Sequence, residues 1–102
     1  MSRTYAGFRG YRVMTDEKYI RRAENFYDKG KLISYPNKVP VRMIVLKRIA
    51  EKFEYGRKYT EKEVNRIIAE QILFSDVALI RRELYQNRFI NRLPDCSEYW
   101  RE

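Results

Sequence analysis

Apolar residues return at helical spacing several times along this chain, and each recurrence is bounded by residues that start or stop a helix. The clearest case lies within residues 59–100. Val64, Ile67, Ile68 and Ile72 fall on one face of an amphipathic helix. Thr60 and Glu63 stand ahead of them as a capping box, each side chain reaching the other's backbone amide. Phe74 and Ser75 break the pattern, Ser75 or Asp76 offers a second N-cap, and Val77, Ile80 and Leu84 give a second buried stripe. After Asn87 the period changes. Residues 89–93 and 97–101 are short apolar-rich runs on either side of Pro94, Asp95 and Cys96, which favours a hairpin. Two short helices joined by about four residues and followed by a two-stranded hairpin outline a winged helix-turn-helix.

Upstream, Thr15 and Asp16 are candidate caps for a helix over residues 15–29, with Tyr19, Ile20, Ala23, Phe26 and Tyr27 on one face and Gly30 as its terminator. Residues 31–35 read as a short extended run stopped by Pro36. Pro40 suits the first turn of a further helix that turns Val45, Leu46, Ile49, Ala50 and Phe53 inward. Gly56 ends that passage, and residues 57–59 form a brief strand able to pair with the wing. Residues 1–14 show no periodicity. There Arg3, Arg9 and Arg12 interleave with Tyr5, Phe8 and Tyr11, a basic aromatic arm that packs on its own domain, on a second subunit, or on phosphates. The expected fold is therefore mainly α with a small β-hairpin, a winged helix-turn-helix with an extra N-terminal helix, residues 15–102 forming a single domain.

Composition narrows what such a domain would do. Its 102 residues suffice for one modest core. Lys and Arg number 22 against 14 Asp and Glu, a net charge of +8 spread along the chain, which favours a polyanion: double-stranded DNA, RNA or, less readily, an anionic membrane surface. With no histidine and one cysteine, the chain has no Ser-His or Cys-His nucleophile, no internal disulfide and no common zinc spacing. Neither an enzyme nor a cofactor or metal is expected. No apolar run reaches the length of a membrane span, and residues 1–14 lack the apolar centre of a signal peptide, so a cytoplasmic protein without membrane contact is expected.

The outer side of the second helix of the pair carries the candidates for base reading: Ala78, Arg82, Tyr85 and Gln86. Arg82 and Gln86 stand one turn apart; Arg pairs with guanine and Gln with adenine in the major groove. Candidate phosphate contacts are Arg42, Lys47, Arg48, Lys62, Arg66, Arg81, Arg88 and Arg92. Against this, Asp76 and Glu83 on the same helix would repel phosphate, Arg81 could pair with Glu61 or Glu63, and the wing tip is not basic. Asn65 is expected to tie a neighbouring turn, Cys96 to be an ordinary exposed thiol, and Trp100 to pack into the core. The competing reading is a non-catalytic protein-interaction module that has lost DNA binding, or a homodimer formed through the 15–29 helix or the arm.

Several of these stretches, in order, resemble a known family. Gly30-Lys31-Leu32 precedes Pro36-Asn37-Lys38, and Val45-Leu46 precedes Phe53-Glu54 and Gly56. Then follow Tyr59-Thr60-Glu61, Glu63-Val64-Asn65, Asp76, Ile80-Arg81-Arg82, Leu84, Arg92 and Tyr99-Trp100. Together they look like the domain of unknown function numbered 2087, over about residues 19–101. The resemblance implies a winged-helix-like fold and a place in transcriptional regulation, with no established ligand or chemistry. Ile80 stands where the family usually has Leu, a swap that keeps an apolar core residue. Arg88 stands where the family usually has Gly, so Asn87 is expected to take the left-handed conformation there. Residues 1–14 lie outside the resemblance.

Overall fold

The computed structural model describes residues 16–102; the 1–14 arm and the candidate cap Thr15 lie outside the described residues. Those described are mainly helical with two small antiparallel hairpins: α1 (Glu17–Glu24), β1 (Tyr27–Asp28), β2 (Lys31–Leu32), α2 (Val39–Ala50), α3 (Glu61–Ala69), α4 (Val77–Gln86), β3 (Ile90–Arg92) and β4 (Tyr99–Arg101). None of these helices is long and apolar enough to cross a membrane.

The helix expected over residues 15–29 is shorter. Asp16 caps it, accepting from the Lys18 amide at 2.9 Å, and it stops at Glu24. Phe26 and Tyr27 leave the helix for a hairpin in which Tyr27 pairs with Leu32 and Asp28 with Lys31. Lys29 (φ 51°) and Gly30 (φ 83°) are both left-handed, as a tight two-residue hairpin turn requires. Gly30 thus serves a hairpin turn, where the same residue could have ended a helix.

α2 is the centre of the molecule. Val41, Met43, Ile44, Val45, Leu46, Ile49 and Ala50 are buried, so the helix is enclosed on most of its circumference. α1 packs along it and α4 packs against it as well. Phe53, just past its end, meets Tyr59 edge-on with ring centroids 5.1 Å apart, and the Tyr59 hydroxyl accepts from the Glu54 amide.

α3 starts on both halves of the capping box, Thr60 N to Glu63 at 2.9 Å and Glu63 N to Thr60 at 3.1 Å. The turn to α4 runs over residues 70–76, longer than the four or so anticipated. Its extra length is used. Ile72 forms a parallel bridge with Leu32, through Leu32 N to Gln71 O at 2.9 Å and Leu73 N to Leu32 O at 2.8 Å. Asp76, rather than Ser75, caps α4 by accepting from Leu79.

α4 ends in a paired hydrogen-bond motif, Phe89 N to Leu84 O and Arg88 N to Tyr85 O, with Leu84 and Phe89 both buried. The left-handed residue in this motif is Arg88 (φ 65°), not Asn87, which stays near helical values and donates its side chain to the Glu83 carbonyl. Arg88 therefore occupies the position the motif reserves for a left-handed residue, the one glycine fills at least cost.

The second hairpin pairs Ile90 with Arg101, Asn91 with Trp100 and Arg92 with Tyr99. The strand expected over residues 57–59 is reduced to a single bridge, Tyr59 to Tyr99, with both N–O distances 2.8 Å. Strand alternation decides which aromatic goes inward. Tyr99 is 2% exposed, whereas Trp100, expected in the core, is only half-buried, on the other face of the strand beneath the Lys58 ammonium at 4.6 Å.

Candidate nucleic-acid interface

Because Ile80 and Leu84 fix the buried side of α4, the positions between them are forced outward. Ala78, Arg82 and Gln86 are exposed on that side, with Tyr85 half-buried beside them. These four candidates line one cleft of about 250 Å³ between α4 and the β3–β4 hairpin, together with Arg81 and Arg92. The structure so brings the four expected base-reading residues together. It treats Tyr85 differently from the rest. The Arg92 guanidinium lies 4.2 Å over the Tyr85 ring, so that ring is a shelf for Arg92 more than a free contact surface.

The eight candidate phosphate contacts divide sharply. Five are engaged inside the protein. Arg42 donates to the Pro36 carbonyl at 2.8 Å and lies over Tyr35. Lys47 pairs with Glu51 one turn on. Arg48 binds Glu24 at 2.7 Å and lies over Tyr27, tying α1 to α2. Arg81 is held by the Asn65 side chain and by Glu61 at 3.7 Å. Arg92 donates to the carbonyls of Leu93 and Pro94 at 3.2 and 3.3 Å, which fastens the hairpin turn to α4. Lys62, Arg66 and Arg88 are exposed, and their side chains make no hydrogen bond, ion pair or ring contact among the described residues.

Arg82 belongs with these three. Among the described residues, the arginines whose side chains make no hydrogen bond, ion pair or ring contact are Arg66, Arg82 and Arg88, all on α3, α4 or the turn after α4, Arg66 acting on Glu63 through its charge alone. Every other described arginine is engaged: Arg21 with Glu17, Arg22 over Tyr19, Arg57 with Glu63 and Tyr59, Arg101 with the Phe53 carbonyl and the Tyr55 ring. The free lysines are scattered instead, at Lys29, Lys31, Lys38, Lys52 and Lys62.

The acidic residues around α4 and the wing tip also have partners inside the protein. Asp76 is occupied as the cap of α4. Glu83 accepts from the Tyr35 hydroxyl at 2.9 Å, and burial together with that carboxylate pushes the Tyr35 ionisation well above its usual range. Asp95 accepts from Ser97 in the hairpin turn, and hydrogen bonds from the Ser97 side chain and backbone hold its carboxyl below the usual value. Glu61 remains in the cleft, paired with Arg81 and accepting from the Tyr99 hydroxyl at 3.4 Å. Burial, then the Cys96 side chain and the Glu61 charge, push Tyr99 up to about 12. The Tyr35–Glu83 bond joins residues far apart in sequence, and no local pattern announces it.

Cys96 is half-buried against the core beside Tyr99, so it is not the plainly exposed thiol expected. Asn65 does tie a neighbour as expected, although that neighbour is the Arg81 side chain and not a turn.

A family described as an uncharacterized protein conserved in bacteria, DUF2087, has a model that matches residues 31–101. The match opens at β2, leaving α1 and β1 outside, a shorter span than the resemblance over residues 19–101. No curated protein and no solved structure matches the chain. With the match running from β2 to the end of β4, the chain belongs to the DUF2087 family.

Proposed function

We propose that the protein is a cytoplasmic DNA-binding regulator of transcription built as a winged helix-turn-helix, with α3 and α4 as the helix-turn-helix and the β3–β4 hairpin as the wing. The observation that supports this best is the placement of the free arginines. Arg66, Arg82 and Arg88 leave their guanidinium donors unspent on α3, on α4 and in the turn after α4, while each of the other described arginines has a partner inside the protein. Guanidinium is the side chain best matched to phosphate oxygens and to the edge of guanine. In this reading Arg82 and Gln86 meet base edges from α4, and Lys62, Arg66 and Arg88 grip the backbone.

Titration of a labelled duplex at several salt concentrations tests it. With Lys62, Arg66 and Arg88 each neutralising one phosphate, log affinity falls against log salt with a slope of about −2.7. Arg82→Ala weakens binding by about 1–3 kcal/mol and relaxes the preference at one base pair. No duplex binding at low salt overturns the reading.

One observation favours a protein-interaction module instead. Ile33 and Leu73 follow the bridged residues Leu32 and Ile72 in parallel register, and they are 45% and 57% exposed. Adjacent exposed apolar side chains of this kind suit a partner surface. That reading gains if duplex binding fails while the protein self-associates through this edge.

A further inference from the structure

The cleft between α4 and the second hairpin has a charge balance of its own. Arg81, Arg82 and Arg92 line it against one carboxylate, Glu61. That carboxylate is already satisfied by Arg81 at 3.7 Å and by the Tyr99 hydroxyl at 3.4 Å. The contacts that engage Arg81 and Arg92 do not exhaust them. A guanidinium has five N–H donors in a rigid fork. Arg92 spends Nη1 on two carbonyls and rests its plane on Tyr85. Arg81 spends Nη1 on Asn65 and Nη2 on Glu61. Each is thereby held in place with donors to spare, so an anion entering the cleft does not have to order them. Arg82, at the rim, has no internal partner among the described residues.

We propose that this cleft is a seat for a single phosphate group, held from the walls by Arg81 and Arg92 and closed from the rim by Arg82. The phosphate comes either from a duplex backbone or from a small phosphorylated molecule. Only the first source rests on the DNA-binding reading. Arg82 cannot close on the phosphate and touch a base edge at once: it stays on the base edge when the phosphate belongs to a duplex, whereas a small phosphorylated molecule in the cleft withdraws Arg82 from the groove and weakens duplex binding.

The test titrates the full chain with pyrophosphate at constant ionic strength, following the arginine Nε–H signals by NMR. Saturable binding is expected, weakened at least tenfold in Arg82→Gln and in Arg92→Gln. Arg82→Gln is the decisive variant, because that side chain supports nothing internal and its loss leaves the melting temperature unchanged. Absence of saturable binding, or equal binding by wild type and both variants, overturns the proposal. A duplex arm identifies the source. If Arg92→Gln reduces the salt slope of duplex binding by about 0.9, a backbone phosphate occupies the seat. If Arg92→Gln leaves duplex affinity intact but loses pyrophosphate, the occupant is a small molecule. Pyrophosphate binding without any duplex binding supports the seat and overturns only the DNA-binding reading.

Discussion

Arg48 on α2 and Arg82 on α4 carry the same charge and project from helices that both pack into one core, yet their surroundings give them opposite uses. Arg48 lies over Tyr27 and binds Glu24, so it fastens α1 to the central helix. The Arg82 side chain makes no hydrogen bond, ion pair or ring contact among the described residues and keeps its guanidinium donors. The same division separates Arg42 and Lys47 from Lys62, Arg66 and Arg88. A basic chain is thus not uniformly basic in what it offers a partner. The +8 balance counts charges, whereas binding depends on which of them are still free to exchange counterions for phosphate.

The strongest way to break this comparison is to remove the free set. Replacing Lys62, Arg66, Arg82 and Arg88 together by Gln should reduce the salt slope of duplex binding by about 2.7, with little change in melting temperature. A steep slope surviving in that variant would show that the engaged cations bind after all. The reciprocal change, Arg48→Met, should leave the slope alone and cost stability instead. Loss of a partly exposed ion pair and a cation–π contact amounts to about 1–2 kcal/mol, readable as a lower urea midpoint. The smallest effect sharpens the contrast within the hairpin. Trp100→Ala, at a half-buried ring, should cost less than Tyr99→Ala, whose buried ring is worth about 3–5 kcal/mol. Equal costs at the two positions would mean that the outward ring carries packing of its own.

What could be read from the sequence was what is local in it. The Thr60–Glu63 box, the Asp76 cap and the stripes of α3 and α4 are made by residues three or four apart, and the structure forms each of them. The four candidates on α4 share a cleft because helical spacing puts them on one side. What escaped depends on distant partners or on a choice between equal local signals. Nothing near Arg48 announces Glu24, nor does anything near Glu83 announce Tyr35. Lys29-Gly30 suits a helix end and a hairpin turn alike. Tyr99 and Trp100 are neighbours, so a shift of one residue in register exchanges their faces. Asn87 tolerates the left-handed region better than Arg88 does, but the position of the last turn of α4 decides which residue must enter it, and it falls on Arg88.

The two isolated bridges, Leu32 with Ile72 and Tyr59 with Tyr99, each join residues forty positions apart, and the loops they close overlap. Such closures are entropically costly and form slowly compared with helices. Because the loops interlock, neither can be cut out while the other is kept whole. The shortest stretch that retains both runs from residue 32 to residue 99, and the family match runs over residues 31–101. The family match thus spans both closures, while α1 lies outside it, packed on α2 through the buried Ala23 and tied there by Arg48.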